Sequence, residues 1–184
     1  MQDTDSTDED LMLRYRKGDM AAFDALYRRY RGPLFRYLER QSGIAAVAEE
    51  LFQEVWMRVI RGRERWRSEL GFRPWLFRIA HNRMVDHWRA GRENHAPLEG
   101  QGEVLQMDTP WPDAWLLIRD CVERLFRLLG GLAEPQRSAF LLKEEAGLSL
   151  EQIAAVMNTG RETVKSRLRY ALKRLRAGLE GCDE

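Results

Sequence analysis

The 184-residue sequence has little of what would mark a secreted, membrane-spanning or metal-dependent protein. Its only cysteines, Cys121 and Cys182, lie far apart and form no CxxC. Neither a disulfide framework nor a zinc cage is therefore expected, and the two thiols read as unpaired. No stretch approaches the eighteen consecutive apolar residues of a membrane span. The first ten residues, MQDTDSTDED, are acidic and polar where a signal peptide would be basic and then apolar. These absences predict a cytoplasmic chain. Charge of one sign is also missing overall, since the formal net charge is only +1.

What is present fits a folded soluble protein of one or two small domains, with 44% apolar and 32% charged residues. The charge is unevenly spread. Residues 1–10 carry five acids and no base, whereas residues 11–95 carry 18 Lys/Arg against 10 Asp/Glu. Residues 96–112 hold three acids and no base, and residues 161–176 hold seven bases against one acid, Glu162. Two basic surfaces flanking an acidic segment are the footprint of a polyanion binder with two contact points.

Apolar spacing of three and four residues dominates and no period-two strand pattern occurs, so the fold class is all-α. Asp19 is expected to cap a helix carrying Phe23, Leu26, Tyr27 and Tyr30, which Gly32-Pro33 then breaks. A helix over about 45–61 places Val47, Leu51, Val55 and Val59 on one face. Residues 62–71 read as a loop and about 73–90 as a basic, tryptophan-rich helix. Residues 96–112 read as a flexible linker, because their Gly, Pro and acidic residues cannot bury enough surface to offset ordering. The expected organisation is thus a domain over 1–95, a linker over 96–112 and a second domain over 113–184. The second begins with helices over 113–129 and from Pro135 to about residue 145.

Ser149 and Gln152, three apart, make a capping box before Ile153, Ala154 and Met157, and Thr159 with Glu162 repeats the spacing. The intervening Asn158-Thr159-Gly160 is short enough that two helices must fold back on each other, which predicts a helix-turn-helix. In its second helix Val164, Leu168, Leu172 and Leu175 form the expected buried seam. Arg161, Thr163, Lys165, Ser166, Arg169 and Lys173 then lie on other faces, with Arg167, Arg174 and Arg176 completing the basic set. Donors at the N-terminus of such a helix meet base edges and phosphates when that end enters a major groove.

At this point the chain resembles the extracytoplasmic-function group of RNA polymerase sigma factors, over nearly its whole length. The run LSLEQIAAVMNTGRETVKSRLRYALKRL is similar to the region 4 helix-turn-helix that reads the minus thirty-five element, and LAEPQRSAFLLKEEAGLS precedes it as in the family. FDALYRRYRGPLFRYL, ELFQEVWMRVIR and FRPWLFRIAHNRMVDHWR resemble successive parts of region 2. The resemblance implies that Glu49, Glu50, Gln53 and Glu54 dock on core RNA polymerase. It implies that Trp66 and Asn82 receive a base flipped from the minus ten strand, with Arg78, Arg83 and Arg89 on phosphates. Arg161, Thr163, Lys165, Ser166, Arg167, Arg169, Lys173 and Arg174 would contact the minus thirty-five element. Tyr170 and Leu172 depart from the family pattern, standing where arginines are frequent, and Trp66 replaces a usual phenylalanine. The implied partners are core RNA polymerase, promoter DNA and an anti-sigma protein, with no cofactor and no catalytic residue.

Two other function classes fit the residues less well. A stand-alone regulator would need an apolar sensing pocket or dimer helix in residues 11–95, where the sequence instead supplies arginines and aromatics. A nuclease would draw on Glu49, Glu50, Asp86, His81 and His87, but these form no HExxH, and His81 and His87 are six apart, off a common helical face.

Overall fold

A computed structural model describes residues 6–93 and 113–182. Among the described residues the regular structure is helical: α1 (Asp8–Arg16), α2 (Met20–Ser42), α3 (Ala45–Gly62), α4 (Phe72–Glu93), α5 (Asp113–Gly130), α6 (Glu134–Glu144), α7 (Leu150–Val156) and α8 (Arg161–Gly178). Two single-turn 3-10 segments, Arg63–Arg65 and Ser68–Leu70, join α3 to α4. The flexible linker expected over 96–112 lies outside the described residues.

Helix α1 was not anticipated. Thr7 accepts a hydrogen bond from the Asp10 N–H, and Asp8, Glu9 and Asp10 occupy the first turn, where negative charge complements the helix dipole. Asp19 caps α2 as expected, accepting from the N–H groups of Ala21 and Ala22. The expected break at Gly32-Pro33 does not occur, and α2 runs through Pro33 to Gly43, whose φ of 69° supplies the left-handed cap. An interior proline costs about 3 kcal/mol. The continuous seam of Leu26, Tyr30, Leu34, Tyr37 and Leu38, buried on both sides of Pro33, outweighs it.

The two sequence-defined modules are packed together. One apolar cluster runs from Leu11 through Met84 and on through Ala139, Leu141, Leu142, Leu148 and Ile153. Helices α1 to α4 supply its first part, and α6 and α7 close over α2 and α4. At the boundary Arg36 and Arg40 both pair with Glu145, whose side chain is 7% exposed. The Arg137 guanidinium lies over the Trp88 ring, 5.8 Å from its centroid. A smaller cluster of Leu129, Leu132, Ala171 and Leu175 joins α5 to α8.

The reading of the cysteines as unpaired is corrected: Cys121 on α5 and Cys182, just beyond α8, form a disulfide with Cα atoms 5.7 Å apart. Their separation in sequence hid a proximity created by α5 lying against the end of α8.

Candidate nucleic-acid interface

Helix α3 turns Leu51, Val55, Trp56 and Val59 into the core and leaves Glu49, Glu50 and Gln53 exposed. Glu54 is half-buried because Arg83 of α4 reaches it, with Nε 2.6 Å from Oε2. Arg83 also donates to Asp86 at 3.1 Å, so two carboxylates already satisfy this candidate phosphate ligand. Between α3 and α4 opens a cleft of about 860 Å³ lined by Glu50, Gln53, Glu54, Asn82 and Arg83. Part of the predicted polymerase-docking set and part of the predicted minus ten set therefore share one cleft. Glu49, Arg78 and Arg89 lie outside it, and all three are exposed.

The cleft is completed by residues that sequence reasoning did not single out, among them Met57, Arg58, Arg61, Arg65 and Trp75. Met57 and Arg61 continue Gln53 at four-residue steps, which is the signal that could have found them. Trp75 is half-buried, packed against the main core while part of its ring lines the cleft. Its position depends on Gly62, where an added Cβ would lie 3.3 Å from the indole.

Trp66 behaves in the opposite way. The chain enters the 3-10 segments around it with the indole turned inward, 0% exposed and in the main core. Its Nε1 has no hydrogen-bond partner. The expectation that Trp66 offers a face to an unstacked base does not hold in this conformation, because its ring is wholly covered by protein. The loop's apolar residue met the core instead, as a large indole between polar neighbours gains most by burial.

α4 owes its start to α1. The Phe72 N–H donates to Glu9 Oε1 at 3.0 Å, so an acidic side chain from the N-terminal helix satisfies an otherwise orphan donor. One turn along, Arg73 donates to the Tyr30 hydroxyl, which also bonds Asp8. These contacts orient the helix that carries Arg78, Asn82 and Arg89 outward.

In the second module α7 opens with the expected capping box, Ser149 and Gln152 bonding each other's backbone N–H. Asn158 takes φ 48°, and the Thr159 N–H returns to the Ala154 carbonyl, closing the tight turn. The second capping box is corrected: Gly160, not Thr159, is the N-cap of α8, and no side chain caps it. The buried seam is Val164, Ala171 and Leu175 with Leu168 partly covered, while Leu172 is exposed. The seam follows three-four spacing, and a run of four-residue steps would have drifted off the helix face.

Arg161, Thr163, Lys165, Ser166, Arg169, Lys173 and Arg174 are all exposed on α8. Arg161, the first residue of α8, bonds Glu151 in the first turn of α7 at 2.6 Å, a contact that links the two helices. Lys165 stands 3.8 Å from Glu162. Arg167 is set apart, half-buried on the side facing α4, where its charge together with burial holds His81 well below the ordinary histidine range, at about 4. Burial is the larger cause. His81 is thus a core residue, neutral at neutral pH, 3.3 Å from the Tyr37 hydroxyl. Among the described residues no group of three or more His, Cys, Asp or Glu is placed to hold a metal, and no helix is long and apolar enough to cross a membrane.

Comparison with known proteins adds two segment matches, Sigma-70 region 2 over residues 26–93 and Sigma-70 region 4 over residues 122–175. The chain is 31% identical over 176 residues to the RNA polymerase sigma-H factor of Pseudomonas aeruginosa, covering 90% of each. It is 30% identical over 172 residues to the ECF RNA polymerase sigma-E factor of Escherichia coli, covering 88% of each. Among solved structures it is similar to the sigma factor RpoE of Bartonella quintana in complex with the anti-sigma factor NepR, with TM-score 0.72, 23% identity, and 86% and 97% of the two chains covered. CnrH in complex with the cytosolic domain of CnrY gives TM-score 0.69 at 24% identity, covering 95% and 98%.

Proposed function

From the premise that this chain belongs to the sigma-70 family of RNA polymerase sigma factors, in its extracytoplasmic-function group, we propose a division of labour among its surfaces. As a member of that family it binds core RNA polymerase and directs promoter-specific initiation of transcription. The exposed carboxylates and amide of α3 (Glu49, Glu50, Gln53) with Glu54 make the polymerase-docking face. Arg78, Asn82 and Arg89 of α4, with Arg83 once released from its carboxylates, take the minus ten strand. The exposed donors of α8 take the minus thirty-five element, Arg161, Thr163, Lys165 and Ser166 nearest the bases and Lys173 and Arg174 nearest phosphates. Residues 1–95 and 113–184 act as the two working domains.

The observation that carries this reading is the α7–α8 helix-turn-helix, whose second helix shows solvent a stripe of cations while its apolar seam is buried. A stand-alone regulator is less well supported, because the open cleft between α3 and α4 sets Arg58, Arg61, Arg65 and three carboxylates around Met57, Trp75 and Ile79 and is no enclosed apolar pocket. The protein works in the cytoplasm, where polymerase is, and supplies no bond chemistry of its own. RpoE of Bartonella quintana is in complex with the anti-sigma factor NepR and CnrH with the cytosolic domain of CnrY, and an anti-sigma protein is the kind of regulator this chain would have.

Run-off transcription with purified core polymerase, mapped across a genome, tests the reading. Core enzyme plus this chain should start at a discrete promoter set, and Gln53→Ala should lower core affinity without lowering the melting temperature. Initiation unchanged from core alone would overturn it.

A further inference from the structure

We propose that Cys121 and Cys182 form a reversible thiol–disulfide switch, closed by a peroxide-class oxidant and reopened by a cellular dithiol, that fastens α5 to the end of α8. The pairing is the last of three contacts that lay the chain after α8 back along one face of α5. A Cβ added at Gly178 would overlap the Leu128 side chain, so the two helices touch there at the closest approach a glycine permits. Next, Arg124 Nη1 donates to the Glu180 carbonyl at 3.3 Å. Cys121 and Cys182 then meet a turn further on. Leu128, Arg124 and Cys121 are spaced four and three apart, which is one helix face.

This fastening has little apolar support. From residue 120 to residue 128 no α5 side chain is fully buried, and the first that is, Leu129, belongs to the small cluster shared with α8 rather than the main core. The disulfide therefore holds α5 a turn beyond Leu125, which packs partly buried against that cluster. Opening the bond leaves that stretch with partial burial, the long Arg124–Glu180 hydrogen bond and the Arg40 guanidinium over the Phe126 ring among its contacts, so its opening free energy falls.

The chemistry suits a switch. The two cysteines line an open cleft of about 450 Å³ together with Asp120, Glu123, Arg124 and Arg127, so the bond is within reach of a small oxidant or a dithiol. One thiolate attacks a peroxide oxygen, breaking the O–O bond to give a sulfenic acid and a hydroxide that takes up a proton. The second thiolate attacks that sulfur, forming the S–S bond and expelling the oxygen as water. Overall two thiols and one hydrogen peroxide give one disulfide and two waters. A dithiol reverses it by exchange, becoming a disulfide as Cys121 and Cys182 regain their protons. The compartment rests on the sigma-factor reading, since beside RNA polymerase thiols are kept reduced and a cytosolic disulfide is transient or redox-sensing rather than structural.

The test uses the full chain, reduced and then treated with hydrogen peroxide. Thiols are counted by maleimide mass tagging, hydrogen exchange is followed in α5, and run-off transcription is measured with core polymerase in both states. The expected result is two taggable thiols falling to none in the monomer, return to two with a dithiol, exchange in the first half of α5 roughly tenfold slower when oxidised, and a different initiation rate in the two states. Cys121→Ser and Cys182→Ser should each behave as the reduced chain in the presence of peroxide. A bond that a dithiol cannot reopen, oxidation that yields only intermolecular dimers or sulfinic acid, or α5 exchange and initiation equal in both states would overturn the switch. Failure of both redox states to initiate would overturn the sigma reading instead, while the thiol count and exchange still decide the switch.

Discussion

Gln41 of α2 donates a 2.9 Å hydrogen bond to the Ser138 hydroxyl of α6, and both residues are sealed from solvent. Arg137 Nε donates at 3.2 Å to the Gln41 carbonyl oxygen, so one amide is satisfied at both ends by the other module. A buried amide at this boundary is tolerated only while α6 stays against α2.

Gln41→Ala should therefore lower unfolding free energy by about 1–3 kcal/mol, because it strands two polar partners at once. Urea unfolding measures it, and hydrogen exchange in α6 should rise more than in α3 if the boundary loosens locally. A loss below about 0.5 kcal/mol, within the usual range of a surface change, would mean that the two modules are not held together in solution as they are here.

The His81 ring makes stability depend on pH. Its ordinary value is 6.5 and its folded value about 4, so between these pH values the unfolded chain binds a proton that the folded chain refuses. Stability from this residue is complete above about pH 6.5 and is lost as pH falls toward 4. The displacement corresponds to about 3 kcal/mol. Unfolding curves at pH 7 and pH 4.5 should show the loss, and His81→Gln should reduce the difference between the two.

Local signals in the sequence were legible and contacts between distant segments were not. The Ser149 and Gln152 capping box and the Asp19 cap are written within four residues, and the structure has both. The seam of Val55 and Val59 needed only the helical period. Pro33 misled because its local cost is visible while the burial of Tyr30 and Leu34 around it is not. Thr7 and Asp10 carried a cap signal for α1 that the acidic run obscured. Thr159 and Glu162 had the right spacing, but Gly160 takes the cap position and shifts the start of α8 by one residue. The Cys121–Cys182 bond, the union of α2 with α6 and the inward turn of Trp66 all depend on chain returning from far away, for which no periodicity exists.

Trp66→Ala should act on folding and not on strand capture. Its indole is wholly enclosed, so truncation should cost about 3–5 kcal/mol, while Trp66→Phe keeps most of the packing. Permanganate reactivity of the melted region and filter retention of closed complexes separate the two steps. For the folded fraction of Trp66→Ala the losses in both should be equal, and a selective loss of opening would restore a direct role for the ring.

Lys165 and Arg174 should separate reading from attraction. Both are exposed on α8, but Lys165 lies one turn in from the N-terminus, where a helix in the major groove meets base edges, and Arg174 lies near the far end. Glu162, 3.8 Å from Lys165 and itself exposed, is screened by solvent and can yield the ammonium to a base. Lys165→Ala should cost roughly 1–3 kcal/mol at the favoured upstream sequence and relax preference at one base position. Arg174→Ala should weaken every sequence alike and lower the salt dependence of binding, since a phosphate contact carries no sequence information. The holoenzyme, with this chain on core polymerase, is titrated against a panel of upstream-element variants at two salt concentrations. A uniform loss across the panel from Lys165→Ala would make α8 an electrostatic clamp, because a lysine that touches no base edge cannot distinguish one sequence from another.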